Sequence, residues 1–325
     1  MSYSYYGNFR MYVNGLIEQK QLLGYPYHSS ARILKQFDSY CMERFPNELT
    51  ITRDIGLGWA TLKENEHQNG LLRRITPVRQ LAKYMNSIGV DAYIIPPKIP
   101  NKQIRYVPHI YTARELTAFF RSIDNCKPSP FSQTRYLVIP VFFRLLYCCG
   151  LRSSEARLLH VSDVDLSAGT VLIRESKGHK DRLVYLSDDL IQLCKIYDEK
   201  IRSRLPNREA FFPNSQGLFY NDSMVDYWFH EFWDNLDVAK ECSGNAPRVH
   251  DFRHTFAVNK LNEWIVEGKD INAYLPYLSM YLGHVRQTDT DYYLHLVPEF
   301  FPVFREKAAR ISEDLLPEVD YEQEN

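Results

Sequence analysis

The residues best suited to chemistry lie between His250 and Tyr293. This stretch opens with His-Asp-Phe-Arg-His, passes Leu-Gly-His at 282–284 and ends in Tyr-Tyr-Leu-His at 292–295. A phenol can act as a nucleophile, an imidazole can move a proton, and a guanidinium can bind an oxyanion. Side chains of these types at these spacings are suited to the attack of a phenol on a phosphodiester.

The elements that must position these residues begin with an apolar helix predicted from Tyr136 to Cys149, which a glycine ends. In the turn that follows, Ser153 or Ser154 can cap a new helix that contains Glu155. Arg152 therefore lies between two helices and close to a helix N-terminus, which is a favourable place to bind a phosphate.

A β-hairpin is predicted next in the chain. The β-rich runs Thr170–Glu175 and Arg182–Leu186 flank a polar turn that contains a glycine. Lys177 and Lys180 lie in this turn, so the hairpin presents two basic groups.

The 325 residues are enough for two domains. Four helices are expected in the front part, roughly at Phe9–Leu22, Ser29–Phe45, Arg53–Lys63 and Leu71–Ile88. Pro77 either kinks the fourth helix or starts it afresh, and the prolines and lysines between 95 and 102 indicate a stiff basic linker. The predicted organisation is a flexible N-terminus at 1–8, a helical domain at 9–95, a linker at 96–108, a catalytic domain at 109–312 and an acidic tail at 313–325.

The second domain is predicted to be mostly helical. Thr112 and Glu115 match a capping box at the start of its first helix, and Pro276 is expected to break a helix or begin one. Further helices are predicted from Ser187 to about Arg204, and at Ser223–Ala239, His250–Glu267 and Pro298–Arg310. The predicted fold class is therefore mainly α with a small β-hairpin (α+β).

Composition is that of an ordinary globular protein, with 45% hydrophobic and 24% charged residues. The formal net charge is −1, yet residues 1–108 hold 14 basic and 8 acidic side chains. A basic front part is compatible with a phosphate-binding surface and equally with a solvated face. No signal peptide or membrane span is recognisable, and the six cysteines show no CxxC spacing. The protein is expected in a reducing cytoplasm.

Five pieces of the second domain resemble the tyrosine recombinases of the phage integrase family and occur in that family's order. They are Gly150–Glu155, Lys177-Gly178, His250–His254, Leu282–His284 and Tyr293–His295. The resemblance implies an all-helical core-binding domain in front, matched in architecture alone, and a tyrosine-recombinase catalytic domain behind. The aromatic segment Ile271–Leu282 departs from the simple helix of Xer-type members.

The resemblance also implies roles for individual residues. Tyr293, with Tyr292 as competitor, is the expected nucleophile, which forms a 3′-phosphotyrosyl link and releases a 5′-hydroxyl. Because that link stores the phosphodiester, resealing is expected to need no ATP, metal or other cofactor. Arg152 and Arg253 are expected to clamp the non-bridging oxygens of the scissile phosphate, where charge develops in the transition state.

Three further residues are expected to handle protons and phosphate oxygens. Lys177 is the expected general acid for the leaving 5′-oxygen, with Lys180 as a rival. His250 is expected to assist removal of the tyrosine proton or to bind the phosphate, and His284 to donate to a non-bridging oxygen.

Supporting roles are expected for polar residues around this set. Glu155 and Asp251 should orient the catalytic arginine and histidine, whereas His254 and His295 are assigned to packing or hydrogen bonding. Backbone contacts with DNA are expected from the basic side chains of Arg73, Arg74, Arg79, Lys83, Lys98, Lys102 and Lys180.

Three other interpretations remain to be weighed. A type IB topoisomerase uses a similar residue set but usually has lysine at the position of His250. A decayed, non-catalytic accessory factor would bind DNA without needing the full set. The sequence His-Asp-Phe-Arg-His also mimics the zinc motif H-E-x-x-H, but Arg253 would place a positive charge beside the metal, so no metal site is predicted.

The sequence as a whole thus predicts a site-specific recombinase that integrates or excises a mobile element through a Holliday junction. Expected partners are double-stranded DNA with inverted-repeat core sites, a homotetramer at synapsis, and an accessory factor that sets direction. The Pro298–Arg310 helix is expected to dock on a neighbouring protomer. The expected location is the cytoplasm, with the nucleoid and without membrane attachment.

Overall fold

A computed structural model describes most of the chain, namely residues 4–100, 106–130, 132–176, 180–242 and 245–297, with backbone alone at 175, 176 and 180. The chain divides into two compact units, Met1–Tyr106 and Val107–Asn325, and each has its own hydrophobic core. No helix within the described ranges is long and apolar enough to cross a membrane. Lys102, Lys177, the predicted Pro298–Arg310 helix and the acidic tail lie outside the described residues.

In its described residues the first unit has four helices, close to the predicted ranges. They are α1 (Arg10–Leu22), α2 (His28–Arg44), α3 (Arg53–Trp59) and α4 (Gln68–Ser87). Pro77 lies inside α4, which continues through it as one helix. The rings of Phe37 and Trp59 meet edge to face at 5.2 Å in the core, and such a pair adds about 0.5–1.5 kcal/mol beyond its buried area.

The N-terminus, expected to be flexible, and the start of the predicted stiff linker both pack on the first unit. Tyr5 is buried, and its hydroxyl donates to a main-chain carbonyl of α2 at 3.0 Å. The backbone N–H of Gly7 donates to the buried carboxylate of Asp38. At the other end, Arg79 Nε donates to the carbonyl of Ile95 at 2.9 Å. Tertiary contacts, which composition does not reveal, therefore order both the N-terminus and the start of the predicted linker.

The second unit combines helices with one small sheet. Its helices in the described ranges are α5 (Ala113–Asp124), α6 (Arg135–Cys149), α7 (Ser153–Arg157), α8 (Asp188–Arg202), α9 (Asp222–Trp233), α10 (Asp237–Glu241), α11 (Asp251–Val266), α12 (Ile271–Leu282) and α13 (Thr288–Asp291). Strands β1 (Val164–Asp165), β2 (Thr170–Ser176) and β3 (Lys180–Tyr185) pair antiparallel in the order β1-β2-β3. The predicted fold class, mainly α with a small sheet, is confirmed.

The core of the second unit forms around α6. Phe142, Phe143 and Leu146 of this helix are at most 1% exposed, because α8 and α11 pack on it and α5 covers a further side. The capping box predicted at Thr112 and Glu115 is present at the start of α5. The hydrophobic burial of α6 thus fixes the position of its C-terminal end, where Arg152 follows.

Two predictions about helix ends are wrong. The predicted helix Ser223–Ala239 is two helices, α9 and α10, separated by a turn. Pro276 lies inside α12 and neither breaks nor begins it. α12 begins earlier because the Asp270 side chain accepts the N–H of Asn272 at 3.0 Å and so caps the helix.

Candidate active site

Arg152 lies at the N-cap of α7, directly after α6 ends at Gly150. Gly150 has φ of +59°, a left-handed conformation that glycine adopts without strain and that reverses the chain. The sequence placed the cap at Ser153 or Ser154, one or two residues later. The side chain of Arg152 is 19% exposed and therefore remains accessible from solvent.

Arg253 lies in the first turn of α11 and is only 1% exposed. Its Nη1 donates to the carbonyl of Gly150 at 2.8 Å, and its Nη2 donates to the carbonyl of Leu282. A guanidinium has five N–H donors, so these two bonds fix its orientation without using them all. Burial, and then the charge of Arg152, lower the pKa of Arg253 to about 10, which keeps it charged at neutral pH.

Glu155 is the carboxylate shared by the arginines of the site. Its Oε1 accepts from Arg152 Nη1 at 2.6 Å, and its Oε2 lies 3.8 Å from Arg253 Nη1. It also accepts two bonds from Arg182, a residue that sequence reasoning did not select. Burial raises the pKa of Glu155, but the bonds from Arg182 and Arg152 outweigh it and hold the pKa at about 2. The carboxylate is therefore ionised and partly neutralises a strongly positive site.

His250 and His254 lie next to each other at the start of α11. Their rings are 4.8 Å apart, edge to face, and the ring of His254 is 5.5 Å from that of Tyr293. Desolvation of the ring, and then the charges of Arg253 and Arg152, lower the pKa of His250. Because His250 is exposed to solvent, water and ions partly screen the effect of these charges on its pKa. A lowered pKa leaves its imidazole neutral at pH 7 and able to accept a proton.

His284 follows Gly283, which ends α12. Its Nδ1 is 2.7 Å from the hydroxyl of Thr290, which is fully buried and fixes the ring. The ring lies nearly parallel to that of Tyr293, with 6.1 Å between centroids and 20° between planes. Thr290 was not predicted, since a threonine six residues after a histidine carries no distinctive sequence signal.

Tyr293 lies in a 3-10 turn, Tyr292–Leu296, and is 2% exposed. Its ring packs against the imidazoles of His254 and His284, whereas Tyr292 is partly exposed beside it. Burial raises the pKa of Tyr293, although the charges of Arg253 and Arg152 oppose this. Its phenol is therefore protonated at neutral pH, and nucleophilic attack requires a proton acceptor.

We expect acidification to destabilise the protein through His254. Burial, and then the charges around it, lower its pKa to about 3, against roughly 6.5 in an unfolded chain. The unfolded state therefore binds more protons between these values, and the free energy of unfolding falls as the pH drops through this window. Between pH 7 and 5.5 the loss is about 1 kcal/mol.

Urea unfolding at these two pH values measures this effect. His254→Leu should reduce the pH dependence by that amount, because leucine fills similar space and does not titrate. Phe256→Leu, which replaces another partly buried ring of α11, is the matched control and should leave the pH dependence unchanged, because neither side chain titrates. Equal pH dependence in His254→Leu and wild type would contradict the assignment.

Of the other predicted supporting residues, His295 is exposed and Asp251 is fully buried. The side chain of Asp251 contacts Arg248. Its Oδ2 accepts the backbone N–H of Arg248 at 2.9 Å, and its Oδ1 lies 3.7 Å from the guanidinium of that residue. These contacts hold the segment that leads into His250. Lys177 lies outside the described residues, and only the backbone of Lys180 is described, at the start of β3.

The basic residues predicted to contact DNA fall into two groups. Arg74 is 8% exposed and pairs with Glu66 at 2.7 Å. Arg79 donates to the carbonyls of Ile95, Pro96 and Ile99. These two guanidiniums stabilise the first unit, so their assignment to DNA is corrected. Arg73, Lys83 and Lys98 are exposed.

One cluster of metal-ligating side chains occurs in the described part of the chain, formed by His109, Glu115 and Cys242. Glu115 Oε2 accepts the backbone N–H and hydroxyl of Thr112 at 2.7 and 2.8 Å, and its Oε1 is 3.0 Å from His109 Nε2. The other ring nitrogen of His109 lies 3.7 Å from Cys242 Sγ. Hydrogen bonds account for every one of these contacts, and we assign the cluster to the anchoring of α5.

Curated proteins that are similar to this chain in sequence include recombinases. The chain is 31% identical over 288 residues to a putative integrase/recombinase, y4rE, of Sinorhizobium fredii, which covers 87% of this chain and 90% of that protein. It is 29% identical over 258 residues to the tyrosine recombinase XerA of Thermococcus kodakarensis, covering 78% and 80%.

Solved structures share the fold. The XerH site-specific recombinase bound to a palindromic difH substrate matches with a TM-score of 0.64 and 21% identity, over 92% of this chain and 83% of that one. A lambda integrase tetramer bound to a Holliday junction matches with a TM-score of 0.57 and 14% identity, over 88% and 76%. Residues 112–299 match the sequence model of the phage integrase family. This span is more than half of the chain, which therefore belongs to the phage integrase family of tyrosine recombinases, enzymes that break and rejoin DNA.

Proposed function

We propose that this protein is a site-specific recombinase of a mobile element, which cuts DNA with Tyr293 and rejoins it through a 3′-phosphotyrosyl intermediate. The observation that carries the proposal is that one buried phenol has two guanidiniums and two imidazoles around it, with the His250 ring next to one of those imidazoles. Family membership supplies the reaction class. The arrangement of side chains supports the assignment of each role.

Arg152 and Arg253 would bind the scissile phosphate. Arg253 is fixed from behind by two carbonyls, and Arg152 is bound through one nitrogen to Glu155 and through the other to Gly283. Such preorganised donors stabilise the charge that develops on the non-bridging oxygens and need not reorganise during the reaction. His284, held by Thr290, would donate to the same phosphate.

Proton transfer would involve groups on opposite sides of the phosphate. His250, kept unprotonated at neutral pH by its lowered pKa, would accept the proton of Tyr293, directly or through the phosphate. The 5′-oxygen that leaves requires a general acid, and Lys177 remains the proposed donor. The covalent link would conserve the phosphodiester, so that the released 5′-hydroxyl can reverse the attack on the same or another strand.

The proposed substrate is double-stranded DNA with inverted core sites, bound by pairs of protomers that assemble into a tetramer and exchange strands through a Holliday junction. An apolar groove of about 730 Å³ in the second unit exposes Tyr185, Tyr277 and Met280. We propose it as the surface that receives the Pro298–Arg310 segment of a neighbouring protomer. The proposal also includes an accessory factor that sets the direction of recombination. It further includes association of the protein with the nucleoid.

Covalent trapping tests the proposed function. Nicked DNA from the regions flanking the gene would be incubated with the protein, with EDTA and without ATP. A nick lets the short released fragment diffuse away, so that the protein–DNA adduct accumulates. Accumulation at one defined site supports the recombinase. Relaxation of any supercoiled plasmid would favour the topoisomerase interpretation, and binding without an adduct would favour the accessory factor.

Arg73 and Arg74 are neighbours on α4, and we expect different roles for them. Arg73 should contact a DNA phosphate, whereas Arg74 should stabilise the fold. Arg74→Ala removes a buried ion pair and should cost about 3 kcal/mol of unfolding free energy, measured by urea titration. Arg73→Ala should change stability by less than about 0.5 kcal/mol but lower the slope of log affinity against log salt by about one. A stable Arg74→Ala, or an unchanged salt slope in Arg73→Ala, would contradict these assignments.

A further inference from the structure

Arg182 is a buried arginine on β3 to which no role has been assigned. Its side chain is 9% exposed, and it shares the inward face of the strand with Val184, which is fully buried. A charged side chain on the buried face of a strand requires a partner of opposite charge. That partner is Glu155, whose side chain is 7% exposed.

The contact between these two residues is a paired one. Arg182 Nη1 donates to Glu155 Oε1 at 2.9 Å, and Arg182 Nη2 donates to Oε2 at 2.7 Å. Two parallel bonds between a guanidinium and a carboxylate form the geometry that guanidinium groups favour most strongly. Arg152 reaches the same carboxylate with one guanidinium nitrogen only, at 2.6 Å, together with its backbone N–H.

The three arginines also share the C-terminal end of α12. The carbonyls of Tyr281, Leu282 and Gly283 accept from Arg182, Arg253 and Arg152, respectively. The partial negative charge at a helix C-terminus favours cations, so consecutive carbonyls hold the three guanidiniums side by side. His284 follows these carbonyls directly in the chain.

We propose that Arg182 is a positioning residue that occupies both oxygens of Glu155 and thereby keeps Arg152 available to the scissile phosphate. This inference rests on the proposed function. Without Arg182, the ionised Glu155 would keep its bond from Arg152 at 2.6 Å and lose its paired partner, and the paired geometry would pass to Arg152. The guanidinium of Arg152 would then turn towards the carboxylate. Its charge would be neutralised by Glu155 and would stabilise the scissile phosphate less.

A double-mutant cycle tests the inference, with single-turnover adduct formation on the nicked substrate as the readout. At saturating protein, Arg182→Gln should slow cleavage about 10- to 100-fold, with DNA affinity within about twofold of wild type. In a Glu155→Gln background, the same substitution should change the rate by less than about twofold, because Arg182 acts through the carboxylate. Arg182→Lys keeps the positive charge but cannot form the paired contact with the carboxylate. Its cleavage rate should lie between those of wild type and Arg182→Gln.

Arg208→Gln is the matched control for the loss of a buried ion pair. Arg208 is paired with Asp198 of α8, and its side chain is 3% exposed. This variant should lower the unfolding midpoint and leave the cleavage rate of the bound complex within about twofold of wild type. Unfolding curves show which fraction of each variant is folded, and Arg182→Lys covers the case in which Arg182→Gln does not fold.

The possible outcomes separate this inference from the proposed function. No adduct with wild-type protein would overturn the proposed function itself. An adduct with wild type and an unchanged rate in Arg182→Gln would overturn the inference alone. Equal slowing by Arg182→Gln in the wild-type and Glu155→Gln backgrounds would also overturn it, since Arg182 would then act independently of Glu155.

Discussion

Tyr293→Phe is expected to abolish the covalent protein–DNA adduct, a loss of at least about 10⁴-fold in rate, while DNA affinity stays within about twofold. The substitution removes the hydroxyl that we assign as the nucleophile. The phenyl ring keeps the packing against the imidazoles of His254 and His284, because it occupies the same 2%-exposed position. Denaturing gels of the nicked-substrate reaction measure the adduct, and a native shift assay measures binding.

Tyr292→Phe is the matched control for this prediction. Tyr292 is adjacent in sequence and only partly buried, and its ring lies 6.2 Å from that of Tyr293. The control variant should retain adduct formation within about threefold of wild type. Adduct formation by Tyr293→Phe, or its loss in Tyr292→Phe, would show that the nucleophile has been assigned to the wrong ring.

Arg253→Lys is expected to slow cleavage by at least about 10²-fold. Lysine keeps a positive charge but lacks the planar set of N–H donors that binds two oxygens at once. It also cannot reach the carbonyls of Gly150 and Leu282 in the geometry that holds the arginine in place. Single-turnover rates at saturating protein measure the effect on the chemical step.

Arg253→Ala should add a stability defect to this loss of rate. It leaves two buried carbonyls without their donor and removes a positive charge near Glu155, which should cost about 3 kcal/mol. Arg144→Lys is the control for Arg253→Lys, since Arg144 of α6 pairs with the exposed Asp124 at the end of α5. A cleavage rate for Arg253→Lys within about threefold of wild type would contradict the role of Arg253 in binding the phosphate.

Much of the fold could be predicted because local signals and tertiary packing agree. Gly150 marks the end of an apolar helix, and the structure ends α6 there with the expected left-handed residue. The capping box at Thr112 starts α5 as predicted. These signals act over a few residues, so they can be read without knowledge of what packs nearby.

The errors arise where distant contacts decide the outcome. Arg74 was interpreted as an exposed phosphate ligand, but Glu66 and main-chain carbonyls bury it. Residues 4–8 looked unstructured, yet Asp38 binds their backbone N–H groups. Neither partner is close enough in sequence to produce a periodic pattern, so composition suggested solvent exposure.

Arg182 shows a signal that was present in the sequence and not used. Along β3 and the residue that follows it, positions 182, 184 and 186 alternate with exposed ones, and Val184 and Leu186 are buried. An arginine in phase with apolar residues on a strand indicates a buried charge, and a buried charge is paired. The identity of its partner, Glu155, required the structure, because 26 residues separate them in the chain.

Mapping of the trapped adduct tests most directly the claim that Tyr293 is the nucleophile and forms a 3′-phosphotyrosyl link. The wild-type complex on nicked DNA would be digested with trypsin and nuclease, and fragment spectra would locate the modified residue. The account predicts a nucleotide on Tyr293, joined through the 3′ phosphate of the cleaved strand. A nucleotide on Tyr292 or another residue, or a link to a 5′ phosphate, would contradict it.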